Sequence, residues 1–290
     1  MDGALLLDKP VGVSSNRALQ AAKKLLGASK AGHGGTLDPL ASGLLVILLG
    51  EATKFAGPML DADKEYLASV KLGERTDTGD AEGAVLETRP VSVDDAQIQA
   101  ALARFRGAIE QTPPMHSALK RDGVPLYKLA RKGETVERKP RRVEIHELEL
   151  LARRDEVLDL RVRCSKGTYI RTLAEDIGAA LGSGGHLAAL RRTGSGRFRV
   201  DDAVTLEALD RRHVLPLDSL LADLPRAELD AAAEARLRNG QPLKISDVRE
   251  GLCALYRVGG GVIGLGYAAP EGFLKVLRLT QAAEKHRKTL

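Results

Sequence analysis

The chain of 290 residues contains no tryptophan and only five tyrosines and four phenylalanines, so its core has to be aliphatic. At 43% hydrophobic residues there is enough material for a core of that kind, and the length suits about two domains. Its two cysteines, Cys164 and Cys253, form no CxxC pair. That excludes the common zinc and dithiol motifs and predicts reduced thiols in a cytoplasmic protein. The longest apolar run, Leu44 to Leu49, falls far short of the ~20 residues a membrane helix needs, so no membrane association is expected. The start, MDGALLLDKP, has acidic Asp2 and Asp8 and lacks the pattern of an export or transit signal.

Several nucleotide and catalytic motifs are missing as well. No Gly-Lys-Ser/Thr follows a glycine-rich loop, so there is no P-loop. Gly259 to Gly264 formally match G-x-G-x-x-G, but strand-like residues follow where a dinucleotide site needs a helix, and a hairpin turn is expected. ERTDTGDAEG places Asp77, Asp80 and Glu82 off the spacing of a calcium loop. It reads as a polar connection in which Asp80 is a candidate for handling a proton. No serine lies in a nucleophile elbow, which removes a Ser-His-Asp triad. Neither a metal nor a cofactor is predicted.

Basic charge is present, and it is concentrated. Between residues 120 and 142 stand Lys120, Arg121, Lys128, Arg131, Lys132, Arg138, Lys139, Arg141 and Arg142, against only Asp122, Glu134 and Glu137. This segment accounts for the formal net charge of +5, the remainder being close to neutral. LRRTGSGRFRV adds Arg191, Arg192, Arg197 and Arg199 with no acid among them. Such clusters suit contacts to a phosphate backbone, the plainer alternative being a solvated basic face.

The pattern of the chain is mixed α/β. LLLDKP reads as a strand leading to a turn, and NRALQAAKKLLG as a helix capped by Ser15 or Asn16 and ended by Gly27. SGLLVILLG reads as a buried strand. KEYLASVKLG alternates, with Tyr66, Ala68, Val70 and Leu72 on one side. VSVDDAQIQAALARFRG reads as a helix. Residues 111–140, broken by Pro113, Pro114, Pro125 and Pro140, read as an excursion from the core with a short helix at LYKLARKG. EVLDLRVRC is a further alternating strand, and beyond SKGTY the stripe Ile170, Leu173, Ile177 and Leu181 predicts a helix. After a composition shift near 215–235, glycine turns between short strands suggest a small separate β domain.

One stretch asks for more. AGHGGTLDPL surrounds His33 with glycines and sets Asp38 directly before a proline. Glycine opens backbone conformations closed to other residues, and proline restricts the residue before it to extended geometry. The loop is either an ordinary Asp-Pro turn or a device that presents one carboxylate. Tyr66 and Tyr169 are core residues or rings at the rim of a site, and Arg171, at a helix start, is a surface residue or a partner for an anion.

LLLDKPVGVSSN, AGHGGTLDPLASGLLVILLGEATK, KEYLASVKLGERTDTGDAEG and CSKGTYIRTLAEDIG together resemble the TruB family of tRNA pseudouridine synthases, in the family's order and at its separations, over about Leu5 to Arg199. The resemblance implies a pseudouridine-synthase fold: a mixed, largely antiparallel central sheet flanked by helices, followed by a small PUA-like β domain. It implies a catalytic domain over 1–225 with an RNA-binding insertion at about 111–140, a PUA-like domain at 226–282 and a basic tail at 283–290. It further implies isomerisation of the T-loop uridine at tRNA position 55, with Asp38 as the catalytic carboxylate and Tyr66 stacking on a flipped-out base. Arg171 would be the ionic partner of Asp38 and lower its pKa. Tyr169 and Leu190 would line the uridine pocket, and His33 would meet the T-loop. The clearest departure from the family is a shorter C-terminal domain. The partner expected is the tRNA T-arm, with no obligate protein partner and a monomeric enzyme. Rival readings are a non-catalytic RNA-binding or RNA-folding factor, a hydrolytic nucleosidase and a guide-RNA-dependent synthase.

Overall fold

The computed structural model describes residues 1–117, 119–121, 123–130, 132–245 and 248–281. Arg131 and the tail at 283–290 lie outside the described residues. The first half supplies strands β1 (Gly3–Lys9), β2 (Ala31–His33), β3 (Ala41–Leu49), β4 (Lys64–Leu72), β5 (Glu74–Thr76), β6 (Val85–Thr88), β7 (Gly107–Gln111), β8 (Lys120–Arg121) and β9 (Val124–Pro125). The second supplies β10 (Arg141–Arg154), β11 (Val157–Cys164), β12 (Gly185–Ser195), β13 (Phe198–Arg199) and β14 (Val214–Leu215). The C-terminal strands are β15 (Arg226–Leu229), β16 (Leu243–Lys244), β17 (Gly251–Arg257), β18 (Val262–Ala268) and β19 (Phe273–Leu279). The helices are α1 (Ser15–Leu26), α2 (Ala56–Asp61), α3 (Asp95–Ala103), α4 (Leu126–Ala130), α5 (Ile170–Ala180) and α6 (Ala231–Arg238).

A ten-stranded sheet runs in the order β14-β1-β3-β12-β4-β11-β10-β7, with β2 added to β3 and β13 to β12. Only β3 and β12 run parallel; the other pairs are antiparallel, as the resemblance implies. The two strands that define the site differ in burial because they differ in cover. β3 is buried on both faces, Leu44, Val46 and Leu48 packing with Phe55 and Met59, and Leu45, Ile47 and Leu49 with α1. Its sequence is correspondingly a continuous apolar run. β4 is covered on one face, where Tyr66, Ala68, Val70 and Leu72 pack with α3 and α5, while Leu67 on the other face is exposed. Its alternation follows.

Helix α1 is capped by Ser14, whose side chain accepts from the Arg17 N–H, and neither Ser15 nor Asn16 serves as cap. Ser15 is turned inward for another use. Gly27 ends the helix with φ +65°, as expected. The insertion leaves the main sheet after β7 and returns at β10, carrying the β8–β9 hairpin and α4. The second sheet, in the order β15-β17-β18-β19-β16, begins at Arg226. Gly259–Gly261 form the turn between antiparallel β17 and β18, so the glycine motif is a hairpin, as expected. One face of this sheet does not stand apart: Ala254, Tyr256 and Leu265 share a buried cluster with Val46, Leu48 and Phe55. Among the described residues no helix is long and apolar enough to cross a membrane, and Cys164 and Cys253 are buried free thiols.

Candidate active site

Residues 34–40 lead from β2 back into β3, and their backbone groups are satisfied from four directions. The buried Ser15 hydroxyl accepts from the Leu37 N–H at 2.7 Å and donates to the Leu37 carbonyl at 2.8 Å. Arg192, 2% exposed, donates to the carbonyls of Gly35 (3.2 Å), Thr36 (3.4 Å) and Leu44 (2.7 Å). The Asp38 carbonyl accepts from the Ala41 N–H at 3.1 Å, closing a turn with Pro39 at its second position, and the Pro39 carbonyl accepts from Gly12. Gly35 takes φ +144°, which a side chain would strain, and Gly43 comes so close to the Arg192 backbone that a Cβ would collide with its carbonyl oxygen. With its backbone fixed this way, the loop holds Asp38 in one place. His33 is not in the loop itself but ends β2.

Opposite Asp38 stands Arg171 in the first turn of α5, its side chain 6% exposed. Nη2 lies 3.1 Å from Asp38 Oδ2, Nη1 donates to the Thr78 carbonyl at 3.0 Å, and the His116 carbonyl accepts a further bond. Nε lies 3.6 Å from Asp80 Oδ2. Asp80 is itself buried, its Oδ1 accepting from Thr78 Oγ1 (2.6 Å) and the Glu82 N–H (3.1 Å). A buried guanidinium is tolerable only when its charge and donors are met, and two carboxylates and two carbonyls meet them. The polar connection after β4 therefore sets a second carboxylate behind the arginine.

Burial raises the Asp38 pKa above its ordinary 3.8; Arg171 opposes the rise and Asp80 adds to it. Arg171 lowers the Asp38 pKa as expected, but desolvation, the larger effect, leaves it raised overall. The side chain keeps 42% of its surface open. It faces a cleft yet is recessed among protein atoms on its other sides.

Two cavities meet at Asp38 and Arg171. One, of about 270 Å³, is lined also by Tyr66, Tyr169, Leu190 and Arg192. The other, of about 530 Å³, is lined by His33, Ser15 and Asp80. Asp38, Tyr66, Tyr169, Arg171 and Leu190 are therefore brought together, with His33 in the adjoining space. Tyr66 is 9% exposed and its phenol pKa is raised by burial, as is that of Tyr169. The His33 pKa is lowered by burial and by Arg192, so the ring is neutral at pH 7. Among the described residues no group of three or more His, Cys, Asp or Glu is placed to hold a metal ion.

The basic residues divide. Lys128, Lys132, Lys139, Arg141 and Arg142 are exposed, the last two on β10, while Arg138 is half-buried and donates to the Pro113 carbonyl at 3.1 Å. Lys120 and Arg121 form β8. The second cluster also divides, with Arg197 and Arg199 exposed and Arg192 buried. Arg192 is spent on the loop carbonyls, Arg191 makes a bidentate pair with Asp8 at 2.8 and 3.0 Å, and Arg199 bonds the Gly196 and Phe198 carbonyls. Lys64 was missed: it donates to the carbonyls of Met59, Leu60 and Ala62, and burial brings its pKa down to about 8. The alternation of β4, which puts Lys64 on the face of Tyr66, was the available signal.

Comparison with known proteins supplies the remaining context. Residues 23–170 match the model of the TruB family pseudouridylate synthase N-terminal domain, and residues 171–222 that of the tRNA pseudouridylate synthase B C-terminal domain. A tRNA pseudouridine synthase B from Burkholderia mallei is 58% identical over 255 residues, covering 86% of this chain and 84% of the relative. Its counterpart from Aromatoleum aromaticum is 54% identical over 286 residues, covering 96% and 92%. Among solved structures, one of a Cbf5–Nop10–Gar1 complex superposes with a TM-score of 0.74 at 27% identity, covering 96% of this chain and 84% of that one.

Proposed function

Because the chain belongs to the TruB family of pseudouridylate synthases, we propose that it converts uridine 55 in the T-loop of tRNA to pseudouridine, with Asp38 as the catalytic carboxylate. At the coarser level it is a tRNA pseudouridine synthase, an isomerase. The observation that carries the finer reading is the immobilised Asp38, paired with a buried arginine where two cavities meet.

The reaction breaks the bond between uracil N1 and C1′, turns the base and rejoins it through C5, whose hydrogen leaves to water. It is redox-neutral. The base must leave the RNA stack, and an aromatic ring offers it a replacement surface. Tyr66, on the floor of the smaller cavity, takes that role, with Leu190 and Tyr169 as walls. Asp38 has to be ionised to act. Burial works against ionisation, and Arg171 supplies the opposing charge within a fixed frame of carbonyls and Asp80. The recess limits the water that would compete for the intermediate. His33, in the adjoining cavity, meets the folded loop that presents the nucleotide.

The exposed bases of the 111–140 insertion contact the tRNA backbone, with catalysis in residues 1–225 and further RNA contacts from a PUA-like unit at 226–282. The enzyme acts as a monomer without a guide RNA. The test is tritium release from [5-³H]uridine-labelled, unmodified tRNA. Wild type is expected to release tritium and Asp38→Asn to release none while still binding tRNA. A tRNA carrying cytidine at position 55 is expected to yield none from that position. Release by Asp38→Asn would refute the catalytic assignment, and undiminished release from the cytidine-55 tRNA would refute the site.

A further inference from the structure

Gln111 is the last residue of β7, an edge strand of the main sheet, where the basic insertion begins. It is 2% exposed, and an amide buried that deeply needs partners. It finds both on one residue: Nε2 donates to the Tyr169 carbonyl at 3.2 Å and Oε1 accepts from the Tyr169 N–H at 3.0 Å. Tyr169 is the N-cap residue of α5 and makes no capping bond with its own side chain. Two residues on is Arg171. The same limb of the insertion touches this segment twice more, through the His116 carbonyl on the Arg171 guanidinium and through the buried Ser117 beside the Tyr169 phenol.

We propose that Gln111 is a positioning residue for the isomerisation: its amide fixes Tyr169 and the first turn of α5, and through them the Arg171 guanidinium against Asp38. The proposal rests on the reading of Asp38, Tyr169 and Arg171 as the reacting site. The amide works as one more rung of the sheet, joining β7 to a segment that is not a strand. Tyr169 has extended geometry (φ −102°, ψ 108°) in a cap without side-chain support, so the Gln111 bonds set the angle at which the helix starts. A contact of 3.1 Å between Arg171 and Asp38 does not survive a shift of the helix start by an ångström. The root of the insertion thereby belongs to the active site as well as to its approach.

Two variants test this in single-turnover tritium release with saturating enzyme. Gln111→Leu removes both bonds at similar size. It is expected to lower the rate about ten- to hundredfold, with half-saturating enzyme concentration and tRNA affinity within about twofold of wild type. Gln111→Glu keeps the shape. Its ionised carboxylate has no proton for the Tyr169 carbonyl, whereas its protonated form has one donor and one acceptor, as the amide does. Burial at 2% exposure disfavours the charge, Arg141, opposite on β10, favours it, and Arg171 and Asp38, which act with opposite sign on the adjoining Tyr169, offset each other. The deficit of Gln111→Glu relative to wild type is therefore expected to shrink as pH falls from about 8.5 to 6, a readout that a loss of stability alone would not give well below the melting temperature. A ratio flat with pH overturns the proposal, and so does a folded Gln111→Leu that keeps its rate within about twofold. Tritium release by Asp38→Asn in the same assay would overturn the site itself. A silent Asp38→Asn beside two fully active Gln111 variants would refute only the positioning role.

Discussion

Replacing Arg171 separates the two things it does for Asp38, holding charge and holding geometry. The guanidinium Nη2 lies 3.1 Å from the Asp38 carboxylate, and an opposite charge at that range favours the ionised form and lowers the carboxyl pKa. Asp38 keeps 42% of its side-chain surface open, so solvent screens this effect without cancelling it. Burial already holds the Asp38 pKa above 3.8. In Arg171→Met the countering charge is gone, the folded-state pKa climbs further, and Asp38 loses its charge at a higher pH. The rate is required to fall at every pH because the carboxylate is no longer oriented, by up to ~100-fold. On top of that loss, the acid limb of the pH–rate profile is expected to move to higher pH, so that the deficit is larger on the acid side than at pH 8–9. Arg171→Lys keeps a charge but cannot reach Thr78, His116, Asp38 and Asp80 at once; it is expected to keep the acid limb near wild type while still losing rate. Single-turnover tritium release between about pH 5 and 9 reads both. There is a stability cost as well: Arg171→Met leaves the buried Asp80 without its cation, at about 3–5 kcal/mol. Adding Asp80→Asn is expected to restore part of the melting temperature and none of the rate. An acid limb for Arg171→Met that coincides with wild type would refute the electrostatic half of the argument and leave Arg171 as a clamp.

Three further outcomes are expected. Tyr66→Ala removes the surface for the flipped base, so single-turnover rate falls by at least about tenfold with tRNA affinity changed far less; equal losses in both, measured by filter binding beside tritium release, would contradict the stacking role. Neutralising Lys128, Lys132, Lys139 and Arg142, all exposed, is expected to weaken tRNA binding and to flatten the slope of log affinity against log salt by about 0.7–0.9 for each phosphate no longer neutralised, and an unchanged slope would remove the insertion from the RNA interface. Ser15→Ala strands the Leu37 N–H and carbonyl beside Asp38, at a cost of about 1–3 kcal/mol in urea unfolding together with reduced activity; a variant as stable as wild type would show that the loop does not depend on that hydroxyl.

How much of this is legible in the sequence depends on the kind of signal each residue leaves. β3 and β4 are readable because burial on two faces or one writes a continuous run or an alternation. Asp38 is readable because glycine and proline constrain the backbone on their own, and Tyr169 and Arg171 because they sit where a strand pattern hands over to a helical stripe. The misreadings share a different cause. Arg192 reads as one of a cluster of surface arginines, although neighbours in a strand point to opposite faces and one of Arg191 and Arg192 has to turn inward. Ser15 has the sequence context of a helix cap, yet Ser14 takes that role and frees it to clamp Leu37. Asp80 reads as a candidate for handling a proton in a polar turn, and its pairing with Arg171 appears only when the chain folds it there. The net direction of the Asp38 shift escapes the sequence because a pair of residues is visible there and the dryness of their surroundings is not.

Arg192, Ser15, Gln111 and Lys64 are all polar side chains that satisfy main-chain groups of irregular segments near the site, across as few as 2 and as many as 157 positions of sequence. No periodicity encodes such pairings. The need for them is encoded nonetheless, since a loop of glycines, leucine and proline set among buried strands has few side chains with which to satisfy its own carbonyls and N–H groups. A polar residue standing in phase with the apolar face of a strand, as Lys64 stands with Tyr66 and Ala68, finds its acceptors in such main-chain groups, here the carbonyls of Met59, Leu60 and Ala62 at the end of α2.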